Sequence, residues 1–322
     1  MKKVKKKTSK RKKRIFLIVG ILFVILIGTG VYGGKVYFDI RDTINKTYKK
    51  VDRIQGYKHD ETVDYKTGQP FSILLLGVDT GDFGRTDQGR SDSIVVATVN
   101  PNTKKTTLVS IARDTYTEII NKNKKDKINH AYAYGGIPTA IATVENLLDI
   151  PINHYVEINM KGMKDLIDTV GGVDVNNPFS FNYEGTNFSI GRLHLNGADA
   201  VKYSRMRYDD PKGDYGRQNR QRQVISGIID EIKSVNTLTN YSGIFGVLGN
   251  NVKTDISWET LQTLAKNYRV SLTKITSDQL LGKGFTGDGI TGEAGISYQK
   301  IDADELQRVQ QELKKQLDEN AT

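Results

Sequence analysis

Hydrophobic positions follow three patterns along this chain. The first is unbroken: Ile15 to Gly34, "IFLIVGILFVILIGTGVYGG", is twenty residues without a charge, about 30 Å as a helix and long enough to cross a bilayer. The second is strand-like and begins near residue 70. "FSILLLGVD" is a continuous apolar run, "INHYVEI" alternates, and "DSIVVATV" and "TTLVSIARD" flank the turn-rich "NPNTKK", which predicts a hairpin. The third has helical spacing. It covers "GGIPTAIATVENLLDI", "MKGMKDLIDTVGGV" with a Gly pair at its end, "QVISGIIDEIKS", "SWETLQTLAKNY" with Ser257 as cap, and "DADELQRVQQELKKQL", where Asp302 and Glu305 have capping-box spacing. Strands and helices interleave, so the expectation is one α/β domain over 70–318. Residues 35–69 read as a juxtamembrane helix and linker.

Charge sharpens the picture. Formal net charge is +10, but the first fourteen residues, "MKKVKKKTSKRKKR", hold ten Lys or Arg and no acid. Of 47 basic residues 37 remain, against 37 acidic ones, so everything after Arg14 is formally neutral. A basic tail before an apolar span predicts an uncleaved anchor with a cytoplasmic N-terminus and an external C-terminal domain. A cleaved signal peptide would have a shorter apolar stretch and a small-residue cleavage site. The neutral outer domain argues against nucleic acid as the partner. With no Cys in the chain, thiolate metal sites, disulfides and a Cys nucleophile are excluded.

If residues 100–105 form the hairpin loop, position 99 faces 106, and Asp92 falls opposite Arg113. Asp79 closes the preceding strand, so Asp79, Arg90, Asp92, Arg113 and Asp114 are expected to gather at one end of the sheet. Carboxylates among arginines have two meanings. They neutralise the guanidiniums, or they hold a hard divalent cation while the arginines grip phosphate oxygens.

A second arginine-rich stretch is "RMRYDDPKGDYGRQNRQRQVI", residues 205–225. Read as the end of a strand, "AVKYSRMRY" places Arg205 and Arg207 on one face as a pair. In the following helix Ile225, Ile228, Ile229 and Ile232 mark a buried stripe, and stepping back by fours puts Gln221 and Arg217 on it. Those two are the better ligand candidates, near a helix N-terminus that favours anions. On this reading Arg222 is a solvated charge and Arg220 is intermediate.

Other motifs carry little. "GKGFTG" at 282–287 satisfies G-x-G-x-x-G, but "DGITGEAG" after it cannot open a helix. Walker A, H-E-x-x-H and G-x-S-x-G patterns are missing, and His59, His130, His154 and His194 show no metal spacing. Of these, His130 in "KINHAY" is the one to follow.

Six blocks in order, "LLLGVD", "GRSDSIVV", "VSIARDTY", "KINHAYAYGG", "LNGADAVKYSRMR" and "RQNRQRQVISGIID", behind a basic start and one apolar span, resemble the LytR-CpsA-Psr family. Ala112 stands where the family pattern often has Pro. The resemblance implies a mixed central β-sheet flanked by helices. It also implies an extracytoplasmic phosphotransferase of mainly Gram-positive bacteria that moves a glycopolymer, wall teichoic acid or capsular polysaccharide, from an undecaprenyl-pyrophosphate carrier to peptidoglycan. On matching positions, Asp79 and Asp92 would hold Mg2+ (or Mn2+). Arg90, Arg113, Arg205, Arg207, Arg217 and Gln221 would bind the pyrophosphate, with Lys127 a further member. Asp92 or Asp114 would activate the acceptor hydroxyl beside Arg113. Two other readings remain open: a non-catalytic module that binds wall polymer, and a DNA-binding transcriptional attenuator.

Overall fold

The computed structural model describes residues 38–39, 41–56, 62–79, 89–233, 251–288, 292–318 and 320. The basic tail and the apolar block at 15–34 lie outside them; among the described residues no helix is long and apolar enough to cross a membrane.

In chain order the elements are β1 (Phe71–Val78), β2 (Ser91–Asn100), β3 (Lys105–Ile111), β4 (Tyr116–Ile119), β5 (Lys124–Lys127), α1 (His130–Leu148), β6 (His154–Asn159), α2 (Met160–Val170), β7 (Val173–Asn177), β8 (Phe181–Tyr183), β9 (Thr186–Phe188) and β10 (Gly191–Leu195). They continue with α3 (Gly197–Arg205), α4 (Asp214–Lys233), β11 (Val252–Thr254), α5 (Trp258–Asn267), β12 (Lys274–Leu280), β13 (Gly282–Gly287), β14 (Ile296–Ile301) and α6 (Ala303–Leu317).

Six strands form one sheet in the order β11-β6-β1-β2-β3-β12. It is mixed: β1 runs antiparallel to β2 and parallel to β6, while β3 runs antiparallel to β2 and parallel to β12. Residues alternate across the pleat. Leu74, Leu76, Ile94, Val96, Val109 and Ile111 therefore share one face with α1 and α6, meeting Ile141, Val144, Leu148, Val309 and Leu313 in the main core. On the opposite face Val95, Ala97 and Leu108 meet Ile225 of α4. A second core lies under α2, α3, α4 and the short strands β7 to β10, around Ile167, Val173, Phe188, Tyr203, Val224 and Ile228.

The hairpin register is as expected, with Val99 paired with Thr106, and the ladder runs one pair further than expected, to Asn100 with Lys105. Helix α2 ends as read, at Gly171 with φ 99°, a conformation that suits glycine. At α5, Ser257 caps by accepting from the Thr260 N–H.

Three local expectations are corrected. "AVKYSR" is not a strand: α3 buries Gly197, Ala200 and Tyr203 at intervals of three, with the Asn196 side chain accepting from the Asp199 N–H at its N-cap. Asp302 does precede α6, but its side chain makes no cap hydrogen bond. It pairs with Lys283 at 2.7 Å, while Glu305 accepts from the Leu281 N–H and from Arg308. The stripe assigned to α4 is also displaced, with Val224 and Ile228 buried and Ile232 46% exposed.

The segment before β1 packs on the domain. Residues 41–47 are helical, Tyr48 bridges to Thr254 on the edge strand, and Arg53 donates to the Ile152 and Asn153 carbonyls and to Asp255.

Candidate functional site

The carboxyl end of β1, the start of β2 and the end of β3 bring the first set of candidates together. At the bulge after Gly77, the Asp79 N–H donates to the Arg90 carbonyl and the Arg90 N–H donates to Asp79 Oδ1 at 2.7 Å. Arg90 itself is exposed. Continuing the β2–β3 register two residues beyond the last ladder pair, Ile94 with Ile111, leaves Asp92 and Arg113 facing each other, and Arg113 Nη1 donates to Asp92 Oδ1 at 2.9 Å.

Asp114 is buried and collects positive charge. Lys127 Nζ lies 2.8 Å from its Oδ1, and Arg113 Nε and Arg207 Nη2 each lie 3.9 Å from its Oδ2. Lys127 reaches it because β5 pairs Lys127 with Tyr116, two residues beyond Asp114.

The arginine-rich stretch divides differently from the sequence expectation. Arg205 ends α3 and pairs with Glu184 at 3.4 Å. Met206 then takes ψ 132°, and this extended turn sends Arg207 back to Asp114 and to Asp214, 3.7 Å from Arg207 Nε. Arg205 and Arg207 are thus not a strand pair; a helix end and a chain reversal separate them. Arg217 is on the buried side of α4 as expected, 7% exposed, with Nη2 2.7 Å from Asp214 Oδ1. Gln221, one turn further on, is half-buried.

Arg222 is not a solvated charge. It is 5% exposed, and its Nη2 donates to Gln279 of β12 at 3.0 Å. Helix α4 is covered on two sides, by the sheet and by the second core, so a position off one stripe is still buried. Burial pushes the Arg222 guanidinium down to about 10, only partly opposed by Asp278. Arg220 is 1% exposed and structural: its Nε donates to the Tyr203 carbonyl at 3.0 Å, and its terminal nitrogens bond Asp210 and the Met206 carbonyl. Gly216 makes room for this, because a Cβ there would sit 1.9 Å from Asp210 Oδ2.

Among the described residues, Arg113, Arg207, Arg217 and Lys127 therefore converge on Asp92, Asp114 and Asp214. Burial disfavours the charge of Arg113, but Asp92 first, then Asp114 and Asp214, more than compensate and hold it more firmly protonated than usual. For Arg217 burial wins: its pKa is lowered, with Asp214 opposing and Arg113 adding repulsion. The buried Nε atoms of Arg113 and Arg217 have no hydrogen-bond partner among the described residues. A buried guanidinium N–H without an acceptor is costly, and an anion entering beside these carboxylates would relieve it.

Sequence reasoning missed Asp214 and Asp126. Asp214 was legible in retrospect, three residues before Arg217 on the first turn of the helix. Asp126 is 2% exposed and sits behind the site. It lies 2.8 Å from His130 Nδ1 and accepts from Tyr134, Tyr298 and the Lys127 N–H. Burial raises its pKa, yet these bonds, led by His130, bring it below the usual carboxylate range. Tyr298 links the two regions, since Lys127 Nζ lies 5.6 Å from its ring centroid.

Known proteins resemble this chain over most of its length. The LytR_cpsA_psr family profile matches residues 36–315. A polyisoprenyl-teichoic acid–peptidoglycan teichoic acid transferase, TagU, from Enterococcus faecalis is 50% identical over 309 residues, covering 96% of this chain and 99% of that protein. Two solved structures superpose well. One, described as a transcriptional regulator from Enterococcus faecalis, has TM-score 0.69 at 41% identity over 80% of this chain and 90% of its own. The other, described as TagT bound to LIIa-WTA, has TM-score 0.67 at 30% identity over 83% of this chain and 99% of its own.

Proposed function

This chain belongs to the LytR-CpsA-Psr family, and from that premise we propose that it is a membrane-anchored phosphotransferase. On this reading it moves an anionic glycopolymer of the teichoic acid class from undecaprenyl pyrophosphate to peptidoglycan on the outer side of the cytoplasmic membrane. The observation that carries the proposal is the pair of buried Nε–H groups on Arg113 and Arg217 that have no partner among the described residues, set among three carboxylates and two further cations.

Phosphoryl transfer needs positioning and charge neutralisation more than covalent chemistry from the protein. In the proposed reaction an acceptor hydroxyl oxygen bonds to the phosphorus that carries the polymer. The bridging P–O bond breaks, and its electron pair leaves with undecaprenyl phosphate. The hydroxyl proton passes to Asp92 or Asp114. Arg113, Arg207 and Arg217 would bind the phosphate oxygens, with Arg90 and Gln221 at the margin and Lys127 beside Asp114. Arg205, held by Glu184, would meet the polymer outside the diphosphate.

Asp79 and Asp92 end and begin adjacent strands and offer hard oxygen donors. Two carboxylates shared with substrate phosphates suit Mg2+ or Mn2+, so the donor set fits the cation implied by the family. When bound, the metal would neutralise charge on the phosphate oxygens.

Release of undecaprenyl phosphate in a single turnover, with the full-length chain, lipid-linked polymer and Mg2+, tests the reading. Arg113→Ala should lower the rate by about 10²- to 10³-fold, the usual loss for one preorganised donor at a developing negative charge. Zero release by the wild-type protein would instead favour a module that binds polymer without transferring it. Although one relative is described as a transcriptional regulator, the neutral balance beyond Arg14 gives no electrostatic footing for nucleic acid. Protease accessibility of the C-terminal domain on intact protoplasts checks the topology.

A further inference from the structure

An open cleft of about 640 Å³ lies between the β4–β5 hairpin, the β13–β14 hairpin and α6. Its lining includes Tyr116, Glu118, Lys125, Phe285, Lys300 and Gln310. Tyr116 joins the cleft to the cluster around Asp114, because it lines the cleft and is the ladder partner of Lys127, which bonds Asp114. In the β4–β5 ladder Tyr116 pairs with Lys127 and Glu118 with Lys125, and residues two apart share a face. One face of the hairpin thus starts at the lysine that holds Asp114 and continues outward through Tyr116, Lys125 and Glu118. The alternate residues Thr117, Asp126 and Ile119 are buried.

On the opposite wall Phe285 stacks on Tyr298 at 5.3 Å, and Tyr116 meets both rings edge-on at 5.1 and 5.0 Å. Tyr298 is fully buried and fixed by its bond to Asp126; Tyr116 and Phe285 are half-buried and show part of their rings to the cleft. The cleft's entrance is also anchored to the site through the backbone, because the Gln299 N–H of β14 donates to the Asp114 carbonyl at 2.8 Å.

From this we infer that the cleft is the subsite for the acceptor glycan: a peptidoglycan strand lies with a sugar face on Tyr116 and Phe285, hydroxyls and amides toward Glu118 and Gln310, and stem-peptide carboxylates toward Lys125 and Lys300. The inference rests on the transfer reaction proposed above. It gives the acceptor hydroxyl an approach to Asp114 along the β4–β5 hairpin, past Tyr116 and Lys127. Partly exposed aromatic rings beside mixed polar groups suit an extended, hydroxyl-rich, weakly anionic chain, and exposed Lys125 and Lys300 complement its carboxylates.

Two variants test it in the full-length protein: Phe285→Leu, which keeps apolar bulk behind Tyr116, and the surface double change Lys125→Glu with Lys300→Glu, which leaves the aromatic cluster untouched. Transfer to soluble peptidoglycan fragments and hydrolysis of the lipid-linked donor without acceptor are measured side by side, with thermal melting as the fold control. Each variant is expected to raise KM for the fragments by about five- to tenfold, the scale of one lost aromatic or charge contact, while donor hydrolysis stays within about twofold. Unchanged KM in both, or equal losses in donor hydrolysis, overturns the assignment. Binding is read separately, as shifts of Tyr116 and Phe285 ring signals on adding the fragments. Shifts caused by carrier-free teichoic acid and not by peptidoglycan fragments would place the donor polymer there and also overturn it. A wild-type protein that turns over no donor yet shows the fragment shifts would sink the transfer reading and leave the cleft standing.

Discussion

Arg217 and Arg220 stand three residues apart on the same helix, and both are buried, at 7% and 1% exposure, yet they belong to different kinds of region. Around Arg220 everything is answered: the Asp210 carboxylate and the carbonyls of Tyr203 and Met206 take its donors, and its guanidinium carbon lies 5.4 Å from the Phe181 ring centroid. Around Arg217 the paired carboxylate is Asp214, with Asp92 a more distant attraction, Arg113 and Arg207 near enough to repel it, and an Nε–H without an acceptor among the described residues. A buried arginine whose donors are all met holds the fold together. One left short of acceptors among other cations is preorganised for a ligand, at some cost in stability.

The sharpest way to break this contrast is to remove each arginine. Arg220→Ala strands the Asp210 carboxylate in the second core, and breaking a buried pair of this kind costs about 3–5 kcal/mol. Chemical denaturation should show that loss, with activity falling only as far as the protein unfolds. Arg217→Gln should do the reverse, with little change in melting temperature and transfer slower by about 10²-fold. Equal destabilisation by both would dissolve the distinction.

Asp126 offers a satisfied counterpart on the carboxylate side. Asp126→Asn loses charge-assisted bonds to His130 and Tyr134 and should cost about 1.5–3 kcal/mol near neutral pH. Because the folded-state pKa of Asp126 is lowered, its stabilisation is present above the unfolded carboxylate value of about 4 and is lost as pH falls. The stability gap between wild type and variant should therefore close on acidification, and a gap that stayed constant to low pH would contradict the account.

Arg222 is the test that can refine the rule. Its Nε and Nη1 also lack partners among the described residues, but the charge acting on it is the attractive one of Asp278, and Asp174 and Asp230 line its cleft. Arg222→Met removes one bond to Gln279 along with the burial of a charge, so stability should change by no more than about 1 kcal/mol in either direction and transfer should be unaffected. A transfer defect with intact melting would show that unpartnered donors alone mark function.

How much of this was legible follows from how local each cause is. The Asp92–Arg113 contact could be placed beforehand because a short loop fixes hairpin register and register fixes which side chains face each other. The Gly171 and Ser257 caps were readable for a similar reason, each being a bond within a few residues. The inward position of Arg217 followed from helical period alone. By contrast, "AVKYSRMR" fits period two and period three about equally well as a string, and the helix wins because Ala200 and Tyr203 have the second core to pack against.

What the sequence by itself determined, then, was the alternation of strands and helices, the pairing that joins Asp92 to Arg113, and a neutral chain behind a basic tail and an apolar block. The tertiary structure alone decided that Arg205 and Arg207 part company, that Asp214 and Asp126 enter the neighbourhood of the site, and that Arg220 and Arg222 are buried. The physical reason is that α4 is covered by the sheet on one side and by a separate core on the other. A one-sided amphipathic reading assigns polar residues off the stripe to solvent, and only the packing of a second layer reveals that they have none to face.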